Sequence, residues 1–479
     1  MNSNPNIKLV AVVGAGITGL SAAYRLRELA AAHERPLEVI VLERGAHLGG
    51  PLETIRRTGF VIETGADSFL SEKLATADLA RRLGLGADLI PTREIYRKTF
   101  VVRGGRLVEM PAGFSLLAPA HLGPIFKSPL FSMAGKLRIA IEPFIPARAS
   151  DTDESLASFV TRRLGREVLD RVAQALAGGI YTADPERLSI AATMPRFVEM
   201  ERRYGSVIKG LRAAEQARAS KDAVESGARW SLFESFSNGM ATLPETLVAR
   251  LGGSIRKAAE VVAISRSGEK WNLAIAGGDQ VEADAVICAA PSFAASRILS
   301  ALAPRAAELL SGISYASAAT VNLTFRESDF ARPPEAFGFV VPACEHRRII
   351  AGSLSSFKFE GRAPAGAILA RAFVGGVMQQ AMMHLSDDEI VAAVRDEFRE
   401  LLGVDAVPGI AEIRRWPDSM PQYEVGHLDR IAEIERIVAA IPAFAIAGAA
   451  YRGVGIPDCV RSGEQAADAI FASVSKAAP

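Results

Sequence analysis

Residues 7–43 read IKLVAVVGAGITGLSAAYRLRELAAAHERPLEVIVLE, and this stretch decides the fold. Its first seven residues are mostly apolar and β-branched, which predicts a strand buried inside a parallel sheet. A glycine turn at residues 14–19 follows, and a helical pattern with one apolar face then ends before Pro36. Leu37–Leu42 predicts a second buried strand, which is followed directly by Glu43. This order of strand, glycine turn, helix, strand and acid is typical of a unit that binds a dinucleotide.

The glycines of the turn and the acid each have a predicted role in that unit. Gly14 allows the tight turn, Gly16 lets the backbone approach a pyrophosphate, and Gly19 lets the helix pack close to the strand. The N–H groups at the helix start favour phosphate, and Glu43 is placed to accept hydrogen bonds from ribose hydroxyls. The alternative is a glycine turn that binds nothing. The residues predicted to contact the dinucleotide here are Gly14, Ala15, Gly16, Ile17, Thr18, Gly19 and Glu43.

Further turns after Glu43 favour FAD over NAD. A second glycine pair stands at residues 49–50, and additional turns are predicted at residues 59–60 and 63–66. An extended flavin uses such backbone contacts, whereas a nicotinamide does not need them. Arg44 is placed to meet a 2′-phosphate, but Glu43 would repel that phosphate, which disfavours NADP. The FAD contacts predicted in this region are Arg44, Gly49, Gly50, Gly65 and Ala66.

Two later segments predict the rest of the same site. Residues 444–447 form a short apolar run, and a glycine-rich stretch joins it to a helical pattern at residues 459–471. Pro457 suits the first turn of that helix, and glycines before a helix start favour close approach to a flavin, although an ordinary turn is the alternative. Residues 258–291 predict a strand, a hairpin and a buried strand. The contacts predicted in these segments are Val261, Gly448, Gly455 and Ile456.

Three further motifs indicate which family of FAD-binding proteins the sequence resembles. They are GADSFL at residues 65–70, WPDSMPQY at residues 416–423 with Gly426 and His427, and YRGVGIPD at residues 451–458. With the glycine motifs, they resemble the FAD-dependent amine oxidase and protoporphyrinogen oxidase superfamily over nearly the whole chain. The last motif resembles the bacterial, coproporphyrinogen-oxidising type. Pro51 departs from the family pattern, and because proline has no N–H it cannot donate a backbone hydrogen bond to a flavin.

The resemblance implies a fold, a domain order and an activity. The fold is α/β, with a Rossmann-like FAD-binding domain of the amine-oxidase type, a mixed-sheet substrate domain and a mainly helical insertion. The FAD-binding domain would comprise residues 1–90, 230–300 and 440–479, with the insertion at 91–229 and the substrate domain at 301–439. The activity would be oxidation of a porphyrinogen in three two-electron steps, with hydride passing to FAD and O₂ reoxidising it to give peroxide. No catalytic side chain is predicted, and hand-over of the porphyrin to other haem-pathway enzymes is implied.

Composition and charge argue against a nucleic-acid-binding protein and indicate where the protein is located. The 55 basic and 54 acidic residues give a net charge of +1, and aromatic residues make up 7%, so nucleic-acid binding is not expected. The three cysteines are too far apart in sequence for a CxxC pair, and no signal peptide or spanning helix is predicted, so we expect a cytoplasmic protein.

The insertion has 22 basic and 15 acidic residues, a net of +7. This excess suits an anionic membrane surface, a substrate with several carboxylates, or a solvated helical surface.

Four residues are predicted to contact the substrate. Lys73 and Arg452 are candidates for contacting propionates, and an exposed or structural cation is the alternative for each. Gly178 and Gly179, in a predicted turn, are candidate pocket residues or packing glycines. The six histidines show no metal-ligand spacing, so no metal is predicted. The resemblance favours coproporphyrinogen III as substrate. A protoporphyrinogen IX oxidase of the same family, an amine oxidase, a carotenoid desaturase and a flavin-binding scaffold without turnover remain alternative functions.

Overall fold

The computed structural model describes residues 7–222 and 232–476. The predicted boundary between the insertion and the second cofactor segment, at residues 229 and 230, lies outside them, as do the first six residues and the last three. No peptide bond in the described chain is cis. Within this part of the chain, no helix is long and apolar enough to cross a membrane.

A five-stranded parallel sheet joins distant parts of the chain. Lys8–Val13 pairs on one side with Leu37–Leu42 and on the other with Ala285–Cys288. Phe444–Ile446 lies beyond Ala285–Cys288, and Ile255–Arg256 forms the opposite edge beside Leu37–Leu42. Alternate residues of Lys8–Val13 are buried in two different apolar clusters, one on each face of the sheet. Burial on both faces explains why this strand is apolar without alternation.

The remaining elements of this domain cover the two faces. Ile17–Ala32 packs against Ile456–Lys476 on one face, and an antiparallel hairpin sheet lies on the other. The strands of the smaller sheets are Thr54–Arg57, Phe60–Glu63, Phe69–Leu70, Leu89–Pro91, Phe233–Phe236, Val261–Ser267, Lys270–Ile275 and Gln280–Ala283. The other helices are Ala75–Arg82, Thr242–Leu251, Ser292–Leu299, Pro304–Ser311 and His427–Ala439. The antiparallel pairing of Lys270–Ile275 with Gln280–Ala283 confirms the predicted hairpin at residues 271–283.

A seven-stranded mixed sheet forms the second domain. Its order is Ala411–Pro421, Tyr315–Arg326, Ala367–Gly375, Ala351–Leu354, Gly338–Val340, Thr99–Arg103 and Arg106–Glu109. The last two strands lie in the range predicted as helical insertion, but Thr99–Arg103 pairs in parallel with Gly338–Val340 and so belongs to the sheet. Ser386 with Glu389 three residues later predicts a helix start, and this is confirmed by the helix Asp387–Leu402, where the Ser386 and Glu389 side chains form a capping box. The short segments Ser355–Lys358 and Val377–His384 complete this domain.

The rest of the insertion is mainly helical, as predicted. Its α-helices are Leu122–Lys127, Met133–Ala140, Leu156–Leu164, Arg166–Val168, Gln174–Tyr181, Ile190–Thr193, Pro195–Tyr204 and Val207–Asp222, with a π-helix at Leu169–Ala173. The spacing of apolar residues over 151–172 predicts one continuous helix, and this prediction is wrong. Ser155 caps the helix, and Gly165, at φ +95°, breaks it. Gly178 and Gly179 lie inside Gln174–Tyr181 rather than in a turn, because the chain first leaves the helix at Thr182, with φ +51°.

Candidate functional site

The glycine turn at residues 14–19 leaves open space in front of the helix Ile17–Ala32. Gly14 has φ +100°, and its N–H donates to Leu42 O over 2.8 Å, which extends the pairing of Lys8–Val13 with Leu37–Leu42 into the turn. A Cβ on Gly19 would lie 2.0 Å from Gly14 O, so close packing of helix and strand requires glycine. A Cβ on Gly16 would meet nothing within 4 Å. The helix start has no side-chain cap and no acidic residue in its first turn, so its N–H groups are available to an anion.

Glu43 lies beside this turn and is hydrogen-bonded to it. Its carboxylate accepts hydrogen bonds from Ala15 N at 2.8 Å and from Gly45 N at 2.9 Å. Its main-chain carbonyl accepts from Ala259 N over 2.8 Å, which brings the strand that begins at Val261 to the same place. Each carboxylate oxygen retains a further lone pair for a ribose hydroxyl. Arg44 beside it is exposed.

The second glycine pair touches the first turn. Gly49 N donates to Ala15 O over 2.8 Å, and Gly49 forms a β-bridge with Gly16. Next to this pair, Pro51 contributes its carbonyl, which accepts from Ala66 N at 3.2 Å. A Cβ on Gly65 would lie 1.6 Å from that carbonyl oxygen. Gly65 is therefore required where these two turns meet.

The mixed sheet holds the turn at residues 63–66 from its other side. Thr320 Oγ1 and Trp416 Nε1 both donate to Thr64 O, at 2.6 and 2.8 Å. The buried Arg371 guanidinium donates to Gly65 O. Sequence reasoning missed Thr320 and Arg371, and an arginine within the otherwise apolar strand Ala367–Gly375 was the signal that could have found one of them.

Buried charges surround this turn. Lys358 Nζ lies 2.9 Å from an oxygen of Asp67, and the Arg362 guanidinium lies 3.7 Å from Glu63. Burial raises the pKa of Glu63 from 4.5 to about 7, against the opposing effect of Arg362. Burial would also raise the pKa of Asp67, but the positive charges of Lys358 and Arg371 outweigh it and lower that pKa below its usual range.

The raised pKa of Glu63 makes a testable contribution to stability. Because the folded protein holds this proton up to about pH 7 and the unfolded chain releases it near pH 4.5, the stabilisation falls as pH rises across that interval. Glu63→Gln carries no titratable proton, so we expect its free energy of unfolding to depend less on pH between these values. Urea unfolding at a series of pH values measures this, with the exposed Glu269→Gln as control. Parallel pH profiles of Glu63→Gln and the natural chain would contradict the prediction.

The C-terminal segment completes the edge of the parallel sheet. Ala447 N donates to Cys288 O over 3.0 Å, and Gly448, at φ +140°, donates from its N–H to Ser462 Oγ at 3.1 Å. The N–H groups of Gly455 and Ile456, at the start of the last helix, have no acceptor within the described ranges. Two helix starts with available N–H groups therefore come from opposite ends of the chain.

The predicted substrate residues lie in different places. Lys73 Nζ is 2.6 Å from the buried Asp458 at the start of the C-terminal helix. Arg452 is exposed and pairs with Glu435. Gly179 is exposed, and a Cβ there would meet nothing within 4 Å, so it leaves open space at the end of its helix. As placed, each of the two cations pairs with a protein carboxylate that a propionate would have to replace. Cys459 is buried, and burial raises the pKa of its thiol to about 12.

The arrangement fits an extended dinucleotide. Three chain segments meet at one sheet edge, and they present open space at Gly16, available N–H groups and the Glu43 carboxylate. A family model described as flavin containing amine oxidoreductase matches residues 17–471. The chain belongs to this family. It is an FAD-dependent oxidoreductase, as predicted, and the predicted fold class is confirmed.

Relatives that match this chain over nearly its full length have more specific names than the family does. Coproporphyrinogen III oxidase of Bacillus subtilis is 33% identical over 461 residues, which are 96% of this chain and 97% of that protein. Coproporphyrinogen III oxidase of Staphylococcus aureus is 31% identical over 98% of this chain and 100% of that protein. A crystal structure from Exiguobacterium sp. 255-15, provisionally named a protoporphyrinogen oxidase, has a TM-score of 0.84 at 31% identity, covering 97% of this chain and 99% of that one.

Proposed function

We propose that this protein oxidises coproporphyrinogen III to coproporphyrin III in haem biosynthesis, with O₂ as the electron acceptor. The observation that carries the proposal is similarity over nearly the full chain to two proteins named coproporphyrinogen III oxidases, at 33% and 31% identity. The reaction balances as one coproporphyrinogen and three O₂ giving one coproporphyrin and three H₂O₂. When bound, FAD supplies the hydride acceptor. Transfer of the porphyrin to another haem-pathway enzyme stays a prediction.

The geometry of the three segments supports the following proposal for the FAD contacts. In this proposal the pyrophosphate lies against the N–H groups of residues 16–18, where a Cβ on Gly16 would point into open space. Glu43 accepts from a ribose hydroxyl with its remaining lone pairs. The turn at residues 63–66 and the start of the C-terminal helix would hold the flavin ring, and the N–H groups of that helix start would favour negative charge on the reduced ring.

Charge favours the substrate with more carboxylates. The insertion has 22 basic and 15 acidic residues, and the remaining 33 basic and 39 acidic residues give the rest of the chain a net of −6. Coproporphyrinogen has four propionates and protoporphyrinogen has two, so a basic insertion attracts the former more strongly. Protoporphyrinogen is the second candidate, because the similar Exiguobacterium structure is named for that activity.

The test is turnover of the two substrates side by side. FAD-loaded protein is mixed in air with coproporphyrinogen III or protoporphyrinogen IX, and porphyrin fluorescence and peroxide are followed. We expect faster oxidation of coproporphyrinogen, with peroxide formed in proportion to porphyrin. Faster oxidation of protoporphyrinogen would reverse the preference. Oxidation of neither substrate, with turnover of an amine or a carotene instead, would overturn the proposal.

An exposed apolar face on the insertion supports peripheral membrane contact as a further part of this proposal. Met133, Leu137 and Ile141 recur every four residues on and after one helix, and the following Phe144 is 85% exposed. Between residues 110 and 150 the only acidic residue is Glu142, which is fully buried against Arg163, whereas four basic residues occur there. These exposed apolar side chains, together with the exposed Lys127, suit an anionic lipid surface.

Vesicle binding tests this face. We expect the double variant Leu137→Glu/Phe144→Glu to lose co-sedimentation with phosphatidylcholine vesicles that contain phosphatidylglycerol, because it removes apolar area and adds repulsive charge. The matched control is Ile95→Glu/Val407→Glu, which changes two other exposed apolar residues and should leave binding unchanged. Equal binding by the natural chain and both variants, or no binding by the natural chain, would contradict membrane contact through this face.

A further inference from the structure

We propose that Tyr423 and His427 are positioning residues for FAD, because they fix the loop of residues 449–453 that leads into the C-terminal helix. The inference rests on the FAD site and does not depend on which substrate is oxidised. It assigns a role to the motif at residues 416–427, which contributes no residue to the predicted cofactor contacts.

The two side chains hold this loop by three hydrogen bonds. The Tyr423 hydroxyl donates to Ala449 O and accepts from Gly453 N at 2.8 Å. His427 Nε2 lies 2.9 Å from Tyr451 O, and because a carbonyl can only accept, this nitrogen carries the proton. Across the described residues, no other side chain forms a hydrogen bond with the main chain of residues 449–453. The position of the loop therefore depends on two side chains from another segment.

Packing makes the pair rigid and keeps it neutral. The two rings stack with centroids 4.0 Å apart and planes 13° apart, and both side chains are buried. Burial lowers the pKa of His427 to about 4, and burial also raises the pKa of Tyr423 well above its usual value. Neither group changes charge near neutral pH, so the donor and acceptor pattern is constant there.

The segment that carries the pair is anchored by three hydrogen bonds to two other parts of the chain. Trp416 Nε1 donates to Thr64 O in the predicted flavin turn, and Gln422 Nε2 donates to Tyr181 O at 3.0 Å in the insertion. Tyr423 O accepts from Ser189 N at 2.8 Å, also in the insertion. The motif thus sets the loop before the C-terminal helix relative to the flavin turn and to the insertion.

Conservative variants separate positioning from general stability. Tyr423→Phe removes both hydroxyl contacts and leaves the ring stack, and we expect about tenfold weaker FAD binding and an altered visible circular dichroism of the bound flavin. The matched control is Tyr204→Phe, which removes an exposed tyrosine hydroxyl from the insertion, outside the loop of residues 449–453. FAD affinity is measured by titrating apoprotein, and the Tm of each apoprotein is measured in parallel.

Two outcomes would overturn the inference. One is Tyr423→Phe with the FAD affinity and dichroism of the natural chain; the other is a lower apoprotein Tm with unchanged flavin dichroism, as a purely structural role predicts. If Tyr423→Phe does not fold, His427→Ala and His427→Gln decide: Gln can donate to Tyr451 O and should restore FAD affinity that Ala loses, whereas equal affinities would overturn the inference. None of these measurements uses porphyrinogen turnover, so failure of the proposed substrate and failure of this inference are distinguishable.

Discussion

Gly16→Val is expected to fold normally and to bind FAD at least about 100-fold more weakly. Gly16 has φ −69° and ψ 175°, which valine adopts without strain, and its Cβ would enter open space rather than protein atoms. In the proposed function the pyrophosphate occupies this same space at the helix start, so the added side chain would block the ligand and not the fold. FAD titration of apoprotein measures the affinity, and thermal unfolding of apoprotein measures the fold.

The neighbouring residue Gly19 gives the contrasting control. A Cβ there would lie 2.0 Å from Gly14 O, so Gly19→Ala should lower the Tm of the apoprotein, which Gly16→Val should not. A Gly16→Val protein that stays yellow and fully loaded with FAD would contradict the assignment of the phosphate turn. Glu43→Ala is a less selective test, because the Glu43 carboxylate also accepts hydrogen bonds from Ala15 N and Gly45 N within the fold.

Gly463→Val is expected to destabilise the fold by about 3 kcal/mol and to weaken FAD binding with it. Gly463 lies in Ile456–Lys476, and a Cβ there would be 2.3 Å from Thr18 O in the first turn of the N-terminal helix. Since the obstacle is backbone, the two helices must separate. Both helix starts that approach the proposed FAD site belong to this pair. Urea unfolding and FAD titration of the same preparations measure the two effects.

A helical glycine without close neighbours is the control for this substitution. Gly123 lies in Leu122–Lys127, and a Cβ there would meet nothing within 4 Å, so Gly123→Val should leave stability and FAD affinity nearly unchanged. If Gly463→Val were as stable as Gly123→Val, the close contact between the two terminal helices would be contradicted.

The parts of the fold that depend on local patterns were predictable. The strand Lys8–Val13, the turn with Gly14 and Gly19, and the capping box at Ser386 each follow from a few consecutive residues. Local geometry determines them, because a tight turn or a helix cap involves residues close in sequence. The joining of both chain ends in one sheet followed from two motifs that share one ligand.

Contacts between distant segments that no pair of recognisable motifs connects were not predictable. Thr320 and Arg371 reach the carbonyls of residues 64 and 65 across more than two hundred positions of sequence, and no local pattern marks them as partners. Thr99–Arg103 pairs with a strand that follows the whole insertion, so its sequence alone does not show which sheet it joins. Gly178 and Gly179 predict a turn by residue type, but their surroundings keep them helical.

The visible absorption spectrum of the protein tests the central claim most directly. Apoprotein is incubated with excess FAD, desalted and scanned, and bound flavin is counted against protein. We expect the bands of an oxidised flavin at one FAD per chain, and their loss in Gly16→Val. A colourless protein after desalting would contradict the claim that the two ends of this chain form one FAD site.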